Sequence, residues 1–425
     1  NQILFKSPFL PANMIIKDVQ ARVIKNSRRE DTIEVSVFSD RGKFSASAPS
    51  GRSKGKYEAR DFSVNGMDFS IKFVAAIGRK IASELLQFND FEDLEKVEKL
   101  IRKIDKTPTW SLIGANALYA LEAALLKAIA ASSGIELWQM FCEKPKFFPM
   151  PLGNAVGGGM HARQETKTDF QEFLFLPKTK NFFDAYFLNL QAYKIAKELL
   201  TAKDKRYENK LTDENAFAAT LSDIDALKLM REARQILQDK FNIEMQIGID
   251  AAASSFFKND FYYYENPEKK VSKDEQIALV VDMIKEYGLN YIEDPFHEED
   301  FAGFSVLMKK INSHNMKCLL AGDDLTATQF KRVEKAVKEK CINALIVKPN
   351  QNGSLLETKR IVDYAKENNI TPIISHRSGE TMDNTIAHLA VGWQCPIIKT
   401  GILGKERFAK LHEILRIERE AAGKH

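Results

Sequence analysis

The chain has 425 residues, 44% of them hydrophobic, enough to bury one large core and a smaller one, so two domains are expected. Its 62 Lys and Arg nearly balance its 58 Asp and Glu, and the resulting formal charge of +4 offers no basic stripe for nucleic acid and no surplus that names a partner. Cys142, Cys318, Cys341 and Cys395 show no CxxC spacing and read as reduced thiols of a cytoplasmic protein, and no apolar run nears the ~20 residues that span a bilayer.

Residues 1–13, interrupted by Pro8 and Pro11, lack the continuous apolar run of an export signal and read as an extension, natural or artificial, ahead of the first domain. From Met14 to about residue 60 the alternation in TIEVSVFSD and KFSASAP predicts a small antiparallel sheet. Residues from about 66 to 140 turn helical. The clearest case is SLIGANALYALEAALLKAIAASSG, with Ser111 as N-cap and Gly134 where a terminating glycine belongs, and its Ala and Leu content predicts a buried packing helix. CEKPKFFPMP carries three prolines, which places a domain boundary near residue 145, between an α+β domain (14–145) and a larger one (146–425).

The larger portion has a different rhythm. Six short apolar runs each end in polar or charged residues, and enough chain separates them for a helix and two loops: MQIGID to Asp250, NYIED with Glu293, CLLAGDD with Asp323, NALIVK to Lys348, TPIISHR with His376 and Arg377, and CPIIK to Lys399. This pattern predicts a β/α barrel, in which the carboxyl ends of the strands gather at one face and bring those polar residues into one site. A single acid after a strand is as often a helix cap or a surface residue. Six in register, in the order acid, acid, acid, lysine, histidine-arginine, lysine, have no structural reason to recur. Three carboxylates without Cys or neighbouring His suit a hard divalent cation, Mg²⁺ rather than Zn²⁺. Lys348 and Lys399 are both candidates for a base, since a lysine beside other cations has its ammonium form disfavoured and its pKa lowered.

These segments resemble the enolases. The resemblance rests on IGIDAAASSFF (247–257), IEDPF (292–296), GDDLTAT (322–328), VKPNQNGSL (347–355), SHRSGET (375–381) and IKTG (398–401), together with PSGRSKGKYEA (49–59), QEF (171–173) and LRIE (415–418). It implies an enolase-type barrel behind a smaller α+β domain, and reversible dehydration of 2-phosphoglycerate to phosphoenolpyruvate with two Mg²⁺ ions. By the same resemblance Asp250, Glu293 and Asp323 hold the first ion, which binds the substrate carboxylate, and Ser53, on a closing loop, ligates the second. Lys348 is the base for the C2 proton, and Glu214 in LTDENA is the acid that assists loss of the C3 hydroxyl. Glu172 supports Glu214, Lys399 grips the carboxylate, and Arg377 with Ser378 holds the phosphate. His161, Gln171 and His376 complete the substrate shell, with Lys348 also in contact with substrate. The family's dimers imply a homodimer, and Glu34 with Arg416 matches a pair used across that interface.

Other features have plainer readings. GGGMHAR, which carries His161, reads as a hinged lid, FKRVEKAVKEK as a solvated helix, and the tyrosines of NDFYYYENP as the edge of a hairpin. Asp324 is expected to orient neighbours of Asp323. Three stretches depart from the family pattern. NSRREDT (26–32) stands where DSRGNPT is common, Arg52 and Lys54 replace the Ala and Thr that flank the serine, and Asn215 and Ala216 replace a glycine pair. Arg52 and Lys54 are expected to bring positive charge toward the second cation site. Two other readings stay open: an acid-sugar dehydratase or racemase of the same superfamily, and a relative retained only for binding.

Overall fold

The computed structural model describes residues 14–52 and 54–423; the expected extension 1–13 and the candidate ligand Ser53 lie outside the described residues. The smaller domain opens with β1 (Ile16–Lys25), β2 (Asp31–Ser39) and β3 (Gly42–Ser47), an antiparallel meander in that spatial order. The alternation anticipated in TIEVSVFSD sets its register. Val37 faces Val19, and Val35 faces Ala21, so one apolar face is buried under helices. Those helices are α1 (Met67–Ser83), α2 (Leu94–Arg102) and α3 (Ala115–Ser132).

α3 is buried nearly all round, as its composition demands, and Gly134 follows its last turn at φ +67. Its start differs from the expectation. Ser111 is not the cap; the helix begins after Gly114, whose φ of +87 no helix accepts. A Cβ at Gly114 would meet Phe62 Cα at 2.5 Å, so only glycine allows this approach. The first amides of α3 are satisfied by backbone instead: Ala115 N donates to Arg60 O and Asn116 N to Asp61 O.

The larger domain is a closed barrel. Its strands are β4 (Met150–Gly157), β5 (Glu172–Lys178), β7 (Glu244–Asp250), β11 (Tyr291–Glu293), β12 (Leu319–Gly322), β13 (Ala344–Val347), β14 (Thr371–Ser375) and β15 (Ile397–Lys399), with β15 pairing back onto β4. A two-residue β6 (Phe217–Ala218) adds to β4. The six expected units are β7 and β11 to β15. The two opening strands escaped the pattern, and β5 runs antiparallel to both of its neighbours. The carboxyl ends therefore do not all meet at one face. β5 instead brings its amino end there, and Glu172 lies in register with Asp250.

Leu152, Leu174, Tyr291, Ala321, Ile346 and Ile373 are among the side chains that fill the barrel interior, so it is a packed core. Outside it run α4 (Phe182–Lys203), α5 (Asp223–Phe241), α6 (Lys273–Tyr287), α7 (Phe301–Ser313), α8 (Phe330–Lys338), α9 (Leu355–Glu367), α10 (Thr385–Gly392) and α11 (Lys405–Ala421). α8 is the expected surface helix, with Val333 and Ala336 turned inward. A separate small sheet holds β8 (Phe257–Lys258), β9 (Phe261–Glu265) and β10 (Glu268–Ser272). The three tyrosines occupy its middle strand rather than an edge, with Tyr262 and Tyr264 buried and the Tyr264 hydroxyl donating to Gln276. Cys318, Cys341 and Cys395 are buried free thiols, and among the described residues no helix is long and apolar enough to cross a membrane.

Candidate active site

Strand ends deliver most of the site. Asp250, Glu293 and Lys399 are the last residues of β7, β11 and β15, while Asp323, Lys348 and His376 directly follow β12, β13 and β14. Gln171 and Glu172 open β5, and His161 and Glu214 sit on loops after β4 and before β6. Of the described candidates, all but Glu293 and Asp323 border a single cavity of ≈ 20 Å³ at this end of the barrel. Those two connect to it through lysines. The Lys399 ammonium lies 2.7 Å from Glu293, 3.0 Å from Asp250 and 2.9 Å from Glu172, and Lys348 donates to Asp323.

The electrostatics follow from burial and pairing. Glu293 is pushed up to about 8 by burial and by Asp250. Burial alone would lower Lys348, yet the Asp323 carboxylate outweighs it and raises the lysine above its ordinary value. The expected lowering is thus reversed in the protein alone, because the nearest charge to Lys348 is an anion rather than another cation. Lys399 is raised further, since Asp250, Glu172 and Glu293 together outweigh its burial.

A second group lines the same cavity and meets the first through the Lys399–Glu172 contact. His161 Nδ1 lies 3.8 Å from both Glu172 and Glu214, and His376 Nε2 lies 3.4 Å from Glu214. Burial and the neighbouring Glu214 drive Glu172 well above the carboxylate range. Burial also opposes ionisation of Glu214, whose nearest ionisable partners are His376 and His161. Burial lowers His376 to about 4, so near neutral pH it serves Glu214 as a polar neighbour rather than as a cation.

The end that holds Arg377 and Ser378 is built from loops. Arg377 is buried, and its Nη2 donates to both oxygens of Glu58; Ser378 Oγ accepts from Arg28 Nη1 at 2.5 Å and from the Arg52 amide at 3.0 Å. Neither Glu58 nor Arg28 stood out as a site residue in the sequence; Glu58 lies in a segment that marks the family and Arg28 in one that departs from it. Arg407 of α11 gave no signal at all, yet its Nη2 reaches Ser378 O at 2.9 Å. The extra charges of the closing loop are neutralised rather than aimed at a cation: Arg52 pairs with Asp213 at 2.6 Å and Lys54 with Asp61 at 2.6 Å. Asn215, at a common glycine position, keeps the left-handed backbone at φ +64, and Asp294 accepts from the amides of Asp323 and Asp324, which orders that turn. Asp324 contributes through that amide.

The donor set fits a hard divalent cation. Asp250, Glu293 and Asp323 offer only oxygens, and Glu293 Oε1 is buried without a hydrogen-bond partner. Their ligand atoms are not the tightest acidic cluster, however; Asp323 groups more closely with Asp294 and Asp324.

A family model described as "Enolase, C-terminal TIM barrel domain" matches residues 145–425, and one described as "Enolase, N-terminal domain" matches residues 16–141. The chain belongs to the enolase family. A protein named Enolase from Picrophilus torridus is 36% identical over 408 residues, covering 96% of this chain and 99% of the relative. Enolases from Methanothermobacter thermautotrophicus (38% over 410 residues; 96% and 97%) and Archaeoglobus fulgidus (37% over 410 residues; 95% and 97%) are similar at the same level. Enolases are metal-dependent lyases, and the oxygen-rich strand ends described above are in keeping with that chemistry.

Proposed function

We propose that this chain is an active enolase, catalysing the reversible, Mg²⁺-dependent dehydration of 2-phosphoglycerate to phosphoenolpyruvate in glycolysis and gluconeogenesis in the cytoplasm. The observation that carries the reading is that one cavity is lined both by Lys348, which donates to Asp323, and by the group Glu172, Glu214 and His161. A dehydration needs both a base and an acid at one site, because a proton must leave C2 while the C3 hydroxyl is protonated.

In this reading Lys348 removes the C2 proton. Its ammonium is held by Asp323 in the protein alone, and burial favours the neutral amine once Asp323 serves another cation. Asp250, Glu293 and Asp323 hold one Mg²⁺ and Ser53 contributes to a second; bound there, the ions offset the negative charge that builds on the substrate carboxylate. Lys399 steadies that carboxylate. Arg377, released from or shared with Glu58, and Ser378 orient the phosphate through charge-assisted hydrogen bonds. Glu214, supported by Glu172, delivers a proton to the departing hydroxyl. His161, Gln171 and His376 shape the remaining walls and exclude water.

We take residues 14–145 as the capping domain and 146–425 as the catalytic one. A homodimer is part of the reading. Within the protomer Glu34 accepts from Arg22, and Arg416 engages Glu136, Glu413 and Glu420. Glu34 and Arg416 therefore exchange partners on assembly.

The test is phosphoenolpyruvate formation from 2-phosphoglycerate, followed by absorbance with Mg²⁺ or with excess chelator. Activity that vanishes with chelator and returns with Mg²⁺, together with its loss in Asp323→Ala, supports the reading. A purified, folded protein inactive at all Mg²⁺ concentrations contradicts it.

A further inference from the structure

Asp213 precedes the acid Glu214, and four of the segments around the cavity are tied to it. Its carboxylate, 8% exposed, receives Arg52 of the closing loop at 2.6 Å on one oxygen and Arg163 of the His161 loop at 3.3 Å on the other. Its amide donates to His161 O at 3.4 Å. Its carbonyl accepts from Arg407 Nη2 at 3.5 Å, and that same nitrogen reaches Ser378 O at 2.9 Å. The loops bearing Arg52, His161, Glu214 and Ser378 thus meet at one residue.

We infer that Asp213 is a positioning residue that latches the closing loop and the His161 loop over the cavity, with Arg52 as its partner on the closing loop and Arg163 on the other. The inference rests on the enolase reading for its kinetic consequence but not for its structural one. Arg52 stands where the family commonly has alanine, which has nothing to offer a carboxylate. The pair is also placed to matter. Arg52 is one-third exposed, so the bond can open to solvent, whereas Asp213 is nearly enclosed and loses little by staying fixed. The Arg52 amide simultaneously donates to Ser378 Oγ at 3.0 Å, so one residue closes both sides of the cavity mouth. Lys54, paired with Asp61, staples the far side of the same loop. A half-exposed charge pair is a modest latch by itself. Opening the loop breaks it together with the Arg52–Ser378 bond, and the coupling between them makes the transition steeper than either alone.

Two consequences separate a latch from a bystander pair. Losing either partner loosens the closing loop to the same extent, losing both loosens it no further, and only the loss of Asp213 also frees the His161 loop from Arg163. Substrate binding then weakens, because part of its binding free energy goes into closing the loop, while the chemistry of the closed state is unchanged.

The experiment uses full-length wild type, Arg52→Ala, Asp213→Asn and the double variant, each checked for an unaltered melting profile. Amide hydrogen exchange of peptides covering residues 50–60 and 160–168 is measured without metal or substrate. Exchange of 50–60 is expected to rise roughly three- to tenfold in each single variant and no further in the double variant, while that of 160–168 rises only where Asp213 is replaced. With Mg²⁺ and 2-phosphoglycerate, KM is expected to rise by a similar factor in both single variants with kcat within about twofold. Unchanged exchange in Arg52→Ala, additive effects in the double variant, or a loss confined to kcat would each overturn the inference. An inactive wild type with the expected exchange pattern would sink the enolase reading and leave the latch standing.

Discussion

Arg377 Nη2 lies 2.9 and 3.0 Å from the two carboxylate oxygens of Glu58, and the two side chains are only 3% and 4% exposed. The closing-loop motif therefore supplies the counter-charge for the residue assigned to the phosphate. Glu58→Gln leaves a buried guanidinium without its anion. That is expected to cost about 3 kcal/mol of stability and, through a misplaced guanidinium, to raise KM for 2-phosphoglycerate roughly tenfold with a smaller change in kcat. A lowered KM would show instead that Glu58 competes with the phosphate.

Asp223 opens α5, and its Oδ1 accepts from Phe170 N at 3.0 Å. Burial pushes this carboxyl up to about 8. In the unfolded chain it ionises near pH 4. Between about pH 4 and 8 the native state therefore holds a proton that the unfolded state lacks, and this group's contribution to stability falls as pH rises through that window. Asp223→Asn keeps the acceptor for Phe170 without the ionisation. Its stability should match wild type near pH 4 and exceed it at pH 8 by up to about 5 kcal/mol, read as a higher melting temperature. Parallel pH profiles for the two proteins would show that Asp223 does not titrate as its burial requires.

Asn215 adopts φ +64 and donates from Nδ2 to Leu403 O at 3.2 Å, while Tyr193 donates to its carbonyl at 2.5 Å. Asparagine tolerates this backbone better than other residues with a Cβ. Asn215→Ala is expected to destabilise the protein by about 1 kcal/mol and Asn215→Gly by less. Denaturant midpoints decide this; equal losses for both would assign the effect to the Leu403 bond rather than to the backbone.

What the sequence disclosed follows from how local each feature is. Strands β7 and β11 to β15 were legible because each runs from apolar core to polar rim within a few residues and is then followed by helical chain. β4 and β5 share no such polarity. β5 runs the other way, so Glu172, its polar residue, comes first and reads as the end of a loop. The start of α3 was misread for a similar reason: Ser111 has the right chemistry for a cap, but the approach of Phe62 to Gly114 is set by tertiary packing.

The site divides along the same line. Its chemical residues sit in short motifs and were found together. Their partners did not declare themselves, because Glu58 and Arg377 are 319 positions apart and Asp213 and Arg52 are 161 apart. Protonation was the least legible property. Lys348 was expected to be lowered by cationic neighbours, whereas its sign is decided by Asp323, which only the folded barrel brings into contact.

The most direct test of the central claim, that Lys348 and the Glu214 group carry out opposite halves of a dehydration across one cavity, is exchange of the substrate's C2 proton with deuterated solvent, followed by NMR in the presence of Mg²⁺. The account predicts exchange in wild type, none in Lys348→Ala, and retained exchange without hydroxyl loss in Glu214→Gln. Exchange that survives in Lys348→Ala, or that disappears equally in both variants, would contradict it.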